Sequence, residues 1–163
     1  MVTDFPSLLK KAAAGEEAYM QQLIMCFAEN ILSKIEQEQT HLYLKKIGTH
    51  DAFYLRAIFY ERGYGVKADA EMAFLLMREA AAKGSGKATY QVGHYYLEGK
   101  GIERNYANAL MWLERAVGSP YYVAAAMYDL GRMYDNGWGV DKDPEQAKVW
   151  YEKAVEKGYR ILI

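Results

Sequence analysis

The stretch Tyr95 to Gly118, "YYLEGKGIERNYANALMWLERAVG", is spoken again from Met133 to Gly158 as "MYDNGWGVDKDPEQAKVWYEKAVEKG". Tyrosine, a G-x-G pair, a β-branched residue, Asp or Asn, Ala, Trp and Ala return in one order. A third copy lies upstream. Tyr60, Tyr96 and Tyr134 lead to Gly63/Gly65, Gly99/Gly101 and Gly137/Gly139, then to Val66, Ile102 and Val140. Asp69, Asn105 and Asp143 follow, and after them Ala73, Ala109 and Ala147, Leu76, Trp112 and Trp150, and Ala80, Ala116 and Ala154. The copies are 36 and 38 residues apart. Self-similarity at such a period marks a repeat architecture, in which each unit is one supersecondary element.

Each copy reads as helix, turn, helix. Ala88, Val92, Tyr95 and Tyr96 share one face at helical spacing. The paired glycines of "EGKGI" stop that helix and permit a left-handed backbone that side chains with a Cβ resist. Asp69, Asn105 and Asp143 stand where an N-cap accepts orphan amide protons, and Pro144 takes the favoured first helical position. The second helix of copy three then buries Ala147, Trp150, Tyr151 and Ala154. Gly93 and Gly131 sit inside first helices, where they cost stability, and so mark close helix contacts.

This order resembles the Sel-one-like repeats, a branch of the tetratricopeptide-like α-solenoids. Copy three carries the pattern most fully, in Ala126, Leu130, Gly131, Tyr134, Gly137, Gly139, Val140, Asp143, Ala147, Trp150, Ala154 and Gly158. Copy two has Val92, Ile102 and Pro120 at departures from it. Copy one has Arg56-Ala57 for Leu-Gly and Leu76 for Trp. The resemblance implies an all-α fold, a right-handed α-α superhelix of antiparallel helix pairs. Repeats are expected at 52–84, 85–120 and 121–158, with a tail at 159–163. Residues 1–51 lack a G-x-G turn and are expected to form a capping helix and a degenerate repeat, as solenoid ends require atypical units.

Composition narrows the function. Twenty Lys and Arg against 21 Asp and Glu leave no basic excess for a nucleic-acid footprint. No polybasic run suggests a membrane anchor, and "LIMCFA" is far too short to span a bilayer. The start, "MVTDFPSLLKKAAAGEE", shows no secretory signal pattern. Cys26 alone cannot form an internal disulfide. A cytoplasmic location is expected, or a periplasmic one had a signal been removed.

No reaction centre is legible. His41, His50 and His94 are scattered, without a second ligand at i+3 or i+4, so no metal and no cofactor is expected. "GSGKAT" at 84–89 echoes a phosphate loop, but Ala81 and Ala88 stand where that pattern needs Gly and Ser or Thr.

The resemblance implies a non-catalytic adaptor holding a protein or peptide partner on the concave face of the first helices. Two other functions stay open: an immunity-type inhibitor of a toxin, and a hydrolase whose site assembles only in three dimensions. A helical wheel about Ala88 places Tyr90, His94 and Leu97 away from the inner sector. Their counterparts are Tyr54, Ile58 and Glu61 in copy one and Tyr128, Arg132 and Asp135 in copy three. These nine residues are the expected contact set. Tyr54, Tyr90 and Tyr128 would form a ladder of rigid amphipathic rings, beside a column that varies from copy to copy. The apolar tail "YRILI" would either fold back over the last pair or drive self-association.

Overall fold

The computed structural model describes residues 4–118 and 123–160, and the described residues hold nine α-helices and no strand. They are α1 (Phe5–Ala13), α2 (Glu17–Ala28), α3 (Lys34–Lys46), α4 (His50–Arg62) and α5 (Ala70–Ala82). Then come α6 (Gly86–Glu98), α7 (Tyr106–Val117), α8 (Val123–Asn136) and α9 (Pro144–Glu156). None is long and apolar enough to cross a membrane. The chain forms two compact units, Met1–Ser85 and Gly86–Ile163. Tail residues 161–163 and the departure at Pro120 lie outside the described residues.

The three repeat turns have one design. Gly63/Gly65, Gly99/Gly101 and Gly137/Gly139 all adopt φ between +67° and +73°. For a residue with a Cβ that conformation costs about 1–2 kcal/mol. Each turn is tied at both ends. Tyr64, Lys100 and Trp138 donate their amides to the carbonyls of Phe59, Tyr95 and Met133, at 2.9, 3.0 and 2.9 Å. Asp69, Asn105 and Asp143 donate theirs to Tyr60, Tyr96 and Tyr134, at 2.9, 3.0 and 2.9 Å. The same three side chains cap the next helix, each accepting from the amide three residues on at 2.9 Å. The pairs α4/α5, α6/α7 and α8/α9 result.

In the first unit, α2 packs on α1 and α3 on α4. The expected hairpin of α2 with α3 is not a close pair. Its connection has Asn30 at φ +53° and a Ser33–Glu36 capping box in place of the glycine turn. Phe27 of α2 packs on Phe59 of α4 with ring centroids 4.4 Å apart, and His41 of α3 meets Phe59 edge-on at 5.4 Å. His41 Nε2 donates to the Tyr64 carbonyl at 2.8 Å, which places the first glycine turn against α2 and α3. His41 is therefore a satisfied histidine.

In the second unit, Leu97, Leu113, Ala126, Leu130 and Met133 form the core. The turn repeats its docking role here: Trp138 stacks on Tyr106 with rings 5.6 Å apart and nearly parallel. A Cβ on Gly139 would lie 2.8 Å from the Tyr106 Cβ. The close-contact reading of the helical glycines holds. A Cβ on Gly93 would meet Leu113 at 3.0 Å, and one on Gly131 would meet the Tyr151 ring at 2.6 Å. Ala147 and Ala154 are buried as expected, whereas Trp150 and Tyr151 are half-buried. Trp150 lies along the margin of the core, and Tyr151 turns its ring over Gly131.

Two outcomes test this packing. Gly131→Ala is expected to cost about 1–3 kcal/mol in urea unfolding, as overpacking does. Gly48→Ala, whose Cβ would meet nothing within 4 Å, should change stability by less than about 1 kcal/mol in either direction. Burial among aromatic rings lowers the His41 pKa from 6.5, partly offset by its bond to the Tyr64 carbonyl. The unfolded chain thus takes up its proton first. The contribution of neutral His41 is complete above 6.5 and is lost as pH falls below that value. The drop in urea midpoint from pH 7.5 to 5 should be smaller in His41→Gln than in the wild type.

Candidate functional site: the polar cluster on α6 and α8

Helix α6 places Tyr90, His94 and Glu98 at i, i+4 and i+8, on one face. Helix α8 brings Asp129 and Arg132, one turn apart, against that face. Asp129 is only 3 % exposed. Its Oδ2 accepts from the Tyr90 hydroxyl at 3.2 Å and from His94 Nδ1 at 2.9 Å. Its Oδ1 accepts from Arg132 Nη1 at 2.9 Å, and the same nitrogen donates to Glu98 at 2.9 Å. The Arg132 guanidinium also lies 5.4 Å from the centre of the Trp138 ring. A buried carboxylate with three donors is a satisfied one.

The electrostatics follow from that arrangement. Burial pushes the Tyr90 hydroxyl far above its ordinary pKa, reinforced by the charge of Asp129, so it stays a donor. Burial works against the Arg132 charge, but its bonds to Asp129 and Glu98 win and raise its pKa. His94 stacks on Tyr90 at 5.7 Å and keeps a third of its side chain exposed. Beyond the cluster, Tyr128 packs on Tyr159 at 4.4 Å and on Tyr151 at 5.3 Å. Burial raises both the Tyr151 and Tyr159 hydroxyls. The described start of the tail thus folds back on α8.

The expected contact set divides. Tyr90, His94, Tyr128 and Arg132 are half-buried and Asp135 is exposed, and Tyr90, His94 and Arg132 converge on one carboxylate. Glu61 is half-buried. Tyr54 (6 % exposed), Ile58 (8 %) and Leu97 (2 %) are core residues and are withdrawn from it. A helical wheel about Ala88 takes in the partner helix of the same repeat alone. A first helix also packs on the neighbouring pair, so Leu97 enters the core shared with Leu130 and Met133. With Tyr54 buried, the tyrosine ladder is not an open surface. Asp129, the centre of the cluster, was missed. The one available signal was its acidic side chain four residues before Met133 on a helix of otherwise apolar and small inner positions.

The cluster contains a base-and-orienter pair, His94 with Asp129, which is half of a hydrolytic site. Among the described residues no Ser, Thr or Cys hydroxyl or thiol bonds His94, and Cys26 is buried in the other unit with its thiol pushed up by desolvation. No group of three His, Cys, Asp or Glu that could hold a metal occurs among the described residues.

Helix pairs joined by one turn and packed by one set of small and aromatic residues define an α-helical repeat protein of the solenoid class. Comparison with protein families matches the Sel1 repeat at residues 51–85, 86–117 and 124–159, and the chain belongs to the Sel1 repeat family. Among solved structures it is similar to a Sel1 repeat protein from Oxalobacter formigenes, with TM-score 0.69 and 26% identity, over 96% of this chain and 71% of that one. It is also similar to a protective antigen of uropathogenic Escherichia coli strains displaying an SLR fold. There the TM-score is 0.74 and the identity 25%, over 96% of this chain and 34% of that one, so the chain spans about a third of that protein. No curated protein matches. Sel1 repeat proteins are in general protein-interaction scaffolds, and the fold is typically non-catalytic.

Removing Asp129 should expose what it holds. Asp129→Ala leaves three donors without their acceptor and is expected to cost about 1–3 kcal/mol. A double-mutant cycle with Arg132→Ala should give a coupling of about 0.5–3 kcal/mol, and simple additivity would show the pair to be idle.

Proposed function

We propose that the chain is a non-catalytic adaptor that binds a protein or peptide partner across the α6/α8 face of its second unit, with no nucleic acid or membrane involved. The observation that carries this reading is the partial exposure of Tyr90, His94, Arg132 and Glu98 above a complete apolar core. The core of Leu97, Leu113, Leu130 and Met133 is buried without them, with Tyr90 packed against it, which leaves His94, Arg132 and Glu98 to act as polar contacts. Tyrosine and arginine held in fixed rotamers supply contact area and directed donors at low ordering cost, which is what binding hot spots use.

Family membership supports the general role, and the cluster supports this place for it. The equivalent positions in the first repeat, Tyr54 and Ile58, are buried, which favours the second unit as the partner-holding half.

The test is co-purification with the immobilised chain, compared with Arg132→Ala and with the charge reversal Asp135→Arg at an exposed position. Partners held by this face should be lost or weakened about tenfold or more by one of the two, with helicity unchanged. A partner retained equally by all three chains places binding elsewhere.

A further inference from the structure

The cluster has an asymmetry that the proposed binding role does not require. The Tyr90 hydroxyl, His94 Nδ1 and Arg132 Nη1 all donate to Asp129 or Glu98, yet His94 has two ring nitrogens and uses one. Asp129 already accepts from Tyr90 and Arg132, and it also accepts the hydrogen bond of the Nδ1 N–H at 2.9 Å. In the neutral imidazole this fixes the tautomer and leaves the lone pair on Nε2. Among the described residues nothing bonds Nε2, and the ring is one-third exposed. The stack on Tyr90 at 5.7 Å holds the plane of the ring.

We infer that His94 is the specificity residue of the α6/α8 face: its Nε2 is an oriented acceptor for a neutral hydrogen-bond donor on the partner, and Asp129 is the positioning residue beneath it. This rests on the adaptor reading above. The donor is an amide or hydroxyl, such as an unpaired N–H of an extended peptide or an Asn, Gln or Ser side chain. A cationic donor would answer to the carboxylates of Asp129 and Glu98, which Arg132 already bridges, and needs no acceptor on His94; an oriented neutral acceptor instead discriminates among neutral donors. Proteins orient metal-binding and catalytic histidines through a carboxylate on the far nitrogen in the same way. Among the described residues no group of three metal-ligating side chains occurs and no hydroxyl or thiol bonds the ring, and the oriented nitrogen is read as a recognition group. A site built to accept a hydrogen bond rejects partners lacking the donor, because its own polar group is then desolvated and unpaired.

The test has two arms. In the first, nitrogen-15 NMR of the full chain reads the tautomer of each histidine ring. His94 is expected with its proton on Nδ1, and a proton on Nε2 overturns the inference. In the second, a displayed library of random 12-residue peptides is panned on the wild-type chain, and the enriched peptides are measured against His94→Asn and Arg132→Ala. Asparagine keeps a donor for Asp129 in place of Nδ1 but removes the outward acceptor, so His94→Asn should fold as the wild type does. Its thermal midpoint is the check on that. The expected result is a loss of about tenfold in affinity on His94→Asn, a single hydrogen bond's worth. Peptides weakened by Arg132→Ala but indifferent to His94→Asn overturn the role of His94 and leave the binding face standing. Peptides indifferent to both, or a library from which none is enriched, overturn the binding face and the inference together. Should His94→Asn prove unfolded, His94→Gln, which offers an outward carbonyl without the Asp129 bond, must bind more tightly than His94→Ala, and equal binding by those two overturns the inference.

Discussion

The structure depends on a turn that is tied twice. In each repeat the left-handed glycine pair lets the chain reverse within a few residues. The amide of the capping residue then bonds back to the first helix while its side chain caps the second. One residue thus fixes the exit of one helix and the entry of the next, and the two helices of a pair have little freedom left. What remains is filled by close approach. Gly93 lies against Leu113 and Gly131 against Tyr151, where no Cβ fits without a shift.

In the first and third turns the residue inside the glycine pair does a second task. Trp138 stacks on Tyr106, and Tyr64 stacks on Phe27 while His41 donates to its carbonyl. The turn that closes one pair therefore docks on the helices before it. This is why the site can exist at all: with α6 and α8 held by their own pairs and by this docking, Asp129 comes within reach of three side chains from two helices. Function in this account is a consequence of register.

Much of that was legible in the sequence, and for a physical reason. Caps, left-handed turns and glycine contacts are set by residues close in the chain, so Asp69, Asn105, Asp143, the glycine pairs and Gly131 announced themselves. Contacts between pairs were not legible in the same way. Leu97 and Tyr54 were placed on an open face because a helical wheel shows one partner helix, and these helices have more. Asp129 carries only a weak signal in the sequence, for the complementary reason. An acidic residue on an amphipathic helix reads as solvated, and only its distances to Tyr90 and His94, 39 and 35 residues away, show it to be a buried hub.

The measurement that bears most directly on the central claim is the urea unfolding of a chain with both Gly99 and Gly101 replaced by alanine. Two residues forced to φ near +73° and +71° should cost about 2–4 kcal/mol together. An unfolding free energy within about 0.5 kcal/mol of the wild type would mean that the turn bends freely, and that something other than its backbone sets the pairing of the helices.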